Sequence, residues 1–396
     1  MQKTFDEVVL FARTGLNPRQ NFKLGQGNNY YITIKNIKNN SLVIDDNTDV
    51  VNDEAIKLIH KRSQIKKGDI LFASIGRMGD MYIIEEEPMA WDINESVFAF
   101  TLDTSIVRQK YFYYIFRVKS TLDYLESNSS GSTFKSIKMN QLKKMKFEIP
   151  ALDKQDQIVS VLDKICNVIE MRKQELGSLD DLIKARFVEM FGDLANPECS
   201  WDKCKFVDAC ADKDDIKCGP FGTQLSKDEY TTSGIAVWEI PQINTAFLSE
   251  PTHFLTEEKA EQLNSYTIIP GDIAMSRKGN VGKCALFPND YPDGIIHSDV
   301  LRIRVDRERL NPAFMVCQLP FSGFVTRQIE LVSSGAIMAG VNVTKLKQIY
   351  VHVPPMDLQN QFADFVRQVD KSKVAVQKAL DETQTLFDSI MQEYFG

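Results

Sequence analysis

The feature that most constrains this chain is that it repeats itself at long range. The segment SSGSTFKSIKMNQLKKMKFEIPALDKQDQIVSVLDK (129–164) aligns without a gap on SSGAIMAGVNVTKLKQIYVHVPPMDLQNQFADFVRQ (333–368), at a shift of 204 residues. At that shift Leu142 meets Leu346, Pro150 meets Pro354, Asp153 meets Asp357 and Gln155 meets Gln359. Further on, Phe191-Gly192 meets Phe395-Gly396, the last two residues. Upstream, KKGDILFASIGRMGD (66–80) resembles IPGDIAMSRKGNVGK (269–283) at a shift of 203, with Gly68, Asp69, Ile70, Gly76 and Gly79 on Gly271, Asp272, Ile273, Gly279 and Gly282. A period this long means duplicated domains, not a solenoid of short repeats.

Each copy reads as a variable block followed by a helix, with boundaries at 1–150, 151–193, 194–354 and 355–396. The blocks carry short strand-like runs (YYITI, DILFASI, MYIIE, VFAFTL, then GIAVWEI and VLRIRV) punctuated by Gly, Asn and Asp, with few obvious helices. KFEIP and YVHVPP read as final strands stopped by proline. Each block is therefore expected to be a β-rich α+β domain.

After each proline a long helix is predicted, with Asp153 and Asp357 as N-caps. Apolar residues recur at alternating spacings of four and three: Ile158, Leu162, Ile165, Ile169, Leu176, Leu179 and Ile183 in the first, Phe362, Val366, Val369, Val376, Leu380, Phe387 and Ile390 in the second. Such a sustained stripe predicts a coiled-coil seam. Arg172 and Lys373 interrupt it, and Gly177 sits mid-helix, where glycine costs roughly 1 kcal/mol against alanine. Each helix alone would be marginal, so it needs a partner, and its own repeat is the obvious one. Helices of this length would span on the order of 55 Å. An antiparallel pair would make the two halves pseudo-twofold related.

Composition narrows the function. At 396 residues with 43% hydrophobic and 26% charged, the chain is an ordinary globular protein. No apolar run reaches a membrane span and the N-terminus lacks a signal-peptide pattern, which predicts a cytoplasmic protein. The formal net charge of −7 means that any nucleic-acid contact must come from a local patch. Basic residues cluster at 135–146 and 276–283. Cys199, Cys204, Cys210 and Cys218 are spaced C-x4-C-x5-C-x7-C, with no CxxC pair, which reads as ordinary thiols, not zinc ligands. His60, His253, His297 and His352 form no ligand-spaced pair. NPR, NPE and NPA lack the Asn/Asp-Pro-Pro-aromatic clamp of an amino-methyltransferase. GNVGKC departs from a phosphate-binding loop and reads as a tight glycine turn. No catalytic residue and no metal site is predicted.

IPALDKQDQIVSVLD (149–163) and VPPMDLQNQFADFV (353–366) resemble the proline–hydrophobic–acidic–x–Gln start of the conserved helices in the specificity subunits of type I restriction–modification systems. The two GDI-containing segments are similar to the glycine motif of that family's target-recognition domains, and the resemblance covers essentially the whole chain. It implies a non-catalytic DNA reader in which each recognition domain reads one half of an asymmetric, bipartite site and the antiparallel helices set the spacer. It also implies two adenine-methylating modification subunits as partners, optional restriction subunits, and S-adenosylmethionine bound by the modification subunits and not by this chain. Pro150, Gln155, Pro354 and Gln359, at matched positions, would be structural at the domain–helix junction. Candidate DNA contacts are Arg77, Arg277, Lys278 and Lys283 around the glycine turns, with Lys135 and Lys138 in the first basic cluster. Ser130 and Ser334, each before an expected basic strand, are phosphate-contact candidates. Two other readings stay open: a protein-binding scaffold with a coiled-coil spacer, and an enzyme with an unrecognised site in one block.

Overall fold

The computed structural model describes residues 1–38, 40–131, 134–196, 199–333 and 340–396. They form two units, 1–172 with 379–396, and 173–378.

In the first unit the strands Val9–Thr14, Val97–Leu102, Ile70–Ala73 and Met81–Ile83 lie side by side in that order, all antiparallel. Ile70–Ala73 is buried on both faces, which is why DILFASI reads as a continuous apolar run and not an alternating one. Phe72, Phe98 and Phe100 face a core shared with the helices. Leu71, Val97 and Ala99 face a second cluster with Ile32 and Ile93, under a sheet ordered Val50–Val51, Asn29–Ile32, Trp91–Ile93. Gln2–Thr4 pairs with Lys146–Glu148, just before the first long helix.

The second unit repeats this arrangement. Ile216–Cys218, Val300–Ile303, Ile273–Ser276 and Cys284–Leu286 take the same strand order. The second sheet runs His253–Leu255, Ile235–Trp238, Gly294–Ile296, Thr267–Ile268, again with one parallel pair, Ile235–Trp238 on Gly294–Ile296. Asp202–Lys205 pairs with Tyr350–Val353, before the second long helix.

The blocks hold more helix than the sequence suggests. Asp53–Ser63 starts on Asn52, whose side chain accepts the Ala55 amide. Gln109–Ile115 and Lys119–Ser127 in the first unit correspond to Pro312–Phe321 and Gly323–Ser333 in the second. Gln109–Ile115 and Pro312–Phe321 are rich in aromatic and apolar residues whose intrinsic preference is weak; burial decides for helix.

The long helices are Leu152–Phe191 and Met356–Phe395, 40 residues each, or about 60 Å. Asp153 and Asp357 are not N-caps: both lie inside the first helical turn, where a carboxylate complements the positive helix end. In the first unit Ile158, Leu162 and Ile169 are buried with Phe387 and Met391, and Ile165, Leu380 and Ile390 pack at the margin. In the second, Ile183 is buried with Phe362, Val366 and Val369, and Leu179 packs at the margin. Leu176 and Val376 are half-buried.

The pairing is antiparallel within each unit. In the second, Phe191 meets Phe362 at 5.5 Å, Arg186 lies 5.7 Å over Phe365 and Asp180 binds Lys373 at 2.6 Å. In the first, Lys154 sits 5.4 Å over the Tyr394 ring. Lys373, expected as a flaw in the seam, is therefore an inter-helix ion pair. Gly177 is exposed, with open space where a Cβ would stand.

The duplicated Phe-Gly at the two helix ends also has a shared role. Phe191 packs on Phe314 in the second unit at 4.7 Å, and Phe395 packs on Tyr111 in the first at 5.1 Å. Tyr111 and Phe314 hold the same place in the repeated short helix, three residues after its N-cap. Each long helix thus closes on an aromatic contact of the same type. Among the described residues no helix is long and apolar enough to cross a membrane.

Candidate nucleic-acid interface

The junction between block and helix is built by one glutamine in each unit. Gln155 is fully buried; its Oε1 accepts the Arg108 amide at 2.8 Å, and its Nε2 donates to the carbonyls of Ile106 and Pro150, both at 2.8 Å. Gln359 repeats this: Oε1 accepts the Asn311 amide at 2.8 Å, and Nε2 donates to Arg309 at 3.1 Å and Pro354 at 2.7 Å. Arg108 and Asn311 are the N-caps of the equivalent helices Gln109–Ile115 and Pro312–Phe321. A primary amide, with donor and acceptor on one head, satisfies all three backbone groups at once. Both glutamines are turned inward, away from any ligand.

The glycine turns come next. Gly76 and Gly79 have φ of 72° and 94°, Gly279 and Gly282 have 67° and 83°. This is the left-handed region where a side chain is strained. At the end of each hairpin away from the turn a buried aspartate holds the sheet. Asp69 accepts Thr101 Oγ1 at 2.6 Å and Arg13 Nη2 at 2.8 Å. Asp272 accepts Nε and Nη2 of Arg304 in a fork, both at 2.7 Å. Both carboxylates are fully buried. The repeated GDI carries these aspartates without disclosing their role; a charge kept in both copies at the start of an apolar strand is the signal that points to it.

In the first unit the turn and the 130–138 segment lie side by side. Ser130 and Ser136 exchange backbone hydrogen bonds at 2.9 Å, Gly76 N–H donates to Lys135 O at 3.1 Å, and Ile137 N–H to Ser74 O at 2.9 Å. The expected basic strand is only an isolated bridge at Ser136, because its neighbours turn at once into the short helix Met139–Leu142. Arg77 and Lys135 line one hollow of about 390 Å³ with Gly76, Met78, Leu122, Leu125, Glu126 and Phe134. Arg77 donates to Ile37 O at 3.1 Å and lies 3.4 Å from Asp80. Lys135 is 2.5 Å from Glu126, whose carboxyl it holds below the usual range. Burial pushes the Asp80 carboxyl the other way, upward. Ser130 and Lys138 are exposed.

In the second unit the cations are more deeply engaged. Arg277 donates Nε to Val341 O at 3.3 Å and Nη1 to Ser298 O at 3.5 Å, and lies 4.7 Å over the Phe221 ring. Lys278 is 2.8 Å from Asp299. Lys283 is exposed at the far end of the turn. Ser334 lies outside the described residues. The structure thus gathers Arg77, Lys135 and Ser130 around one loop pair and Arg277 with Lys278 around another. Phe134, Phe221, Glu126 and Asp299, which complete these surfaces, were not singled out from sequence.

Among the described residues no three His, Cys, Asp or Glu side chains gather to hold a metal. Burial raises the Cys204 and Cys218 thiols and pushes Cys210 up to about 12, so these stay protonated. His60 faces Asp92 at 3.1 Å and His253 faces Glu239 at 2.6 Å. His352 is fully buried, its ring nitrogens without hydrogen-bond partners, and burial lowers it to about 4.

Known proteins agree with this arrangement. The type I restriction modification DNA specificity domain matches residues 2–180 and 221–383. The MjaIX specificity subunit of a type I restriction enzyme from Methanocaldococcus jannaschii is 21% identical over 297 residues, 72% of this chain and 68% of that protein. The putative MjaX specificity subunit from the same organism is 21% identical over 81% of this chain and 77% of its own length. The fold matches the type I restriction–modification S subunit from M. genitalium with a TM-score of 0.56 at 15% identity, covering all of this chain and 96% of that one. A chain from a type I R-M system studied for complex assembly and conformational transition gives 0.53 at 14% identity, covering 99% and 96%. Of the three readings open from sequence, these favour the DNA reader over the scaffold and the enzyme. A chain whose duplicated domains match along most of its length in this way belongs to the type I restriction–modification DNA specificity subunits.

Proposed function

We propose that this chain reads an asymmetric, bipartite DNA site, one half through each recognition unit, and that its paired helices set the spacer and dock two modification subunits. The observation that carries this is the duplication itself: strand order and glutamine junction are kept in both units while the loop chemistry beside the glycine turns differs. Equal scaffolds with unlike surfaces suit unlike half-sites. Methyl transfer, with S-adenosylmethionine, falls to the modification subunits; restriction subunits join where cleavage is needed. The chain itself catalyses nothing and works in the cytoplasm beside the DNA.

The test is a methylation map of cells expressing this chain with its modification subunits, with and without the gene for this chain. A split adenine motif with unlike halves that disappears on deletion is the expected result. A palindromic motif, or one that survives deletion, refutes the reading.

A further inference from the structure

Phe134 is the most exposed phenylalanine among the described residues, at 71%, ahead of Phe11 at 60% and Phe221 at 44%. Other phenylalanines of the same unit are buried: Phe72, Phe100, Phe112 and Phe116 are at 1% or less. The residues after it are tied to the neighbouring turn: Ser136 exchanges two hydrogen bonds with Ser130, and Gly76 and Ser74 bind Lys135 and Ile137 on either side of it. Gly131 has φ of +121°, and a Cβ there would come 2.3 Å from the Phe134 carbonyl oxygen, so only glycine fits at that position.

The surroundings say what the ring is for. Phe134 lines a hollow with Met78, Leu122 and Leu125. Arg77 and Lys135 line it too, paired with Asp80 and Glu126. An exposed ring beside two cations suits nucleic acid, where cations take phosphates and the ring takes a base face. We infer that Phe134 is a base-stacking residue of the first recognition unit, inserted at a base step of its half-site. This rests on the reading that the chain binds DNA.

The experiment uses the full chain assembled with its modification subunits and a duplex carrying the motif found by methylation mapping. Phe134→Ala should bind about ten-fold more weakly or worse, since stacking on one aromatic side chain is worth roughly that factor or more. The slope of log affinity against log salt should not change, because no phosphate contact is lost. Phe134→Trp should keep the affinity. Its emission, taken as the difference from the wild-type complex, should be quenched by the motif duplex but not by one with the first half-site scrambled. The ring is exposed, so an unchanged melting temperature for both variants is expected and separates folding from binding. Wild-type affinity in Phe134→Ala, a reduced salt slope, or unquenched emission in Phe134→Trp would overturn the inference. A wild-type complex that methylates no motif would instead sink the DNA-reading function on which it stands.

Discussion

The two recognition units differ least where the chain is buried and most where it meets water. Gln155 and Gln359 make the same three hydrogen bonds to matched backbone groups. The two main sheets keep one strand order. One layer out, the same buried aspartate is met by a threonine and an arginine in the first unit and by one forked arginine in the second. At the surface the likeness ends: Arg77 stands between its two glycines beside an open hollow, whereas Arg277 precedes its turn and lies over Phe221. Duplication preserved what the core needs and released what a ligand meets.

The largest effects should separate the aspartates. Asp272→Asn leaves Arg304 without its fork, and breaking a buried pair costs about 3–5 kcal/mol. Asp69→Asn keeps an oxygen for Thr101 and takes the charge from a single Arg13 bond instead of a fork, so about 2–3 kcal/mol is expected. Urea unfolding of both variants measures the difference; equal losses would mean the fork is worth no more than the single arginine bond.

The glutamines should behave alike. Gln155→Leu and Gln359→Leu each strand one amide and two carbonyls, at a cost of about 2–4 kcal/mol, by the same unfolding assay. If one substitution is silent, the junctions are not equivalent and the comparison of the units fails at its base.

The smallest effect is acid sensitivity confined to the second unit. The residue matching His352 is Glu148, whose side chain is 73% exposed. With His352 lowered to about 4, against about 6.5 in the unfolded chain, the unfolded state binds more protons between these values. Stability from the neutral histidine is therefore full above about 6.5, falls as pH drops through the window, and is down by about 2 kcal/mol at pH 5. His352→Leu should flatten this fall when urea midpoints are compared at pH 7 and pH 5. An unchanged pH dependence would place the titrating group elsewhere.

Much of the frame is legible in the sequence alone. The repeat located two units and two helices, and the spacing of Leu162, Ile169, Val366 and Val369 identified the seam face that is buried. The glycine turns were readable because only glycine takes positive φ without strain. The site was less legible. Arg77, Lys135 and Ser130 were candidates one by one, but their meeting depends on hydrogen bonds between Ser74–Gly76 and 135–137, across some sixty residues. The helices Gln109–Ile115 and Pro312–Phe321 are not legible because their aromatic and apolar residues favour neither state strongly until the core covers them.

By itself the sequence determined what is periodic or local: the duplication, the strand and helix runs, the glycine turns and the glutamine at each helix start. These follow from backbone sterics and from the spacing of apolar side chains, which act over a few residues. Only the tertiary structure decided which side chains stay in water. Phe134 and Phe72 are the same residue type, yet one is 71% exposed and the other fully buried. Burial depends on every segment packed nearby, most of them distant in the chain, so exposure and the surface it creates emerge only when the whole unit has closed.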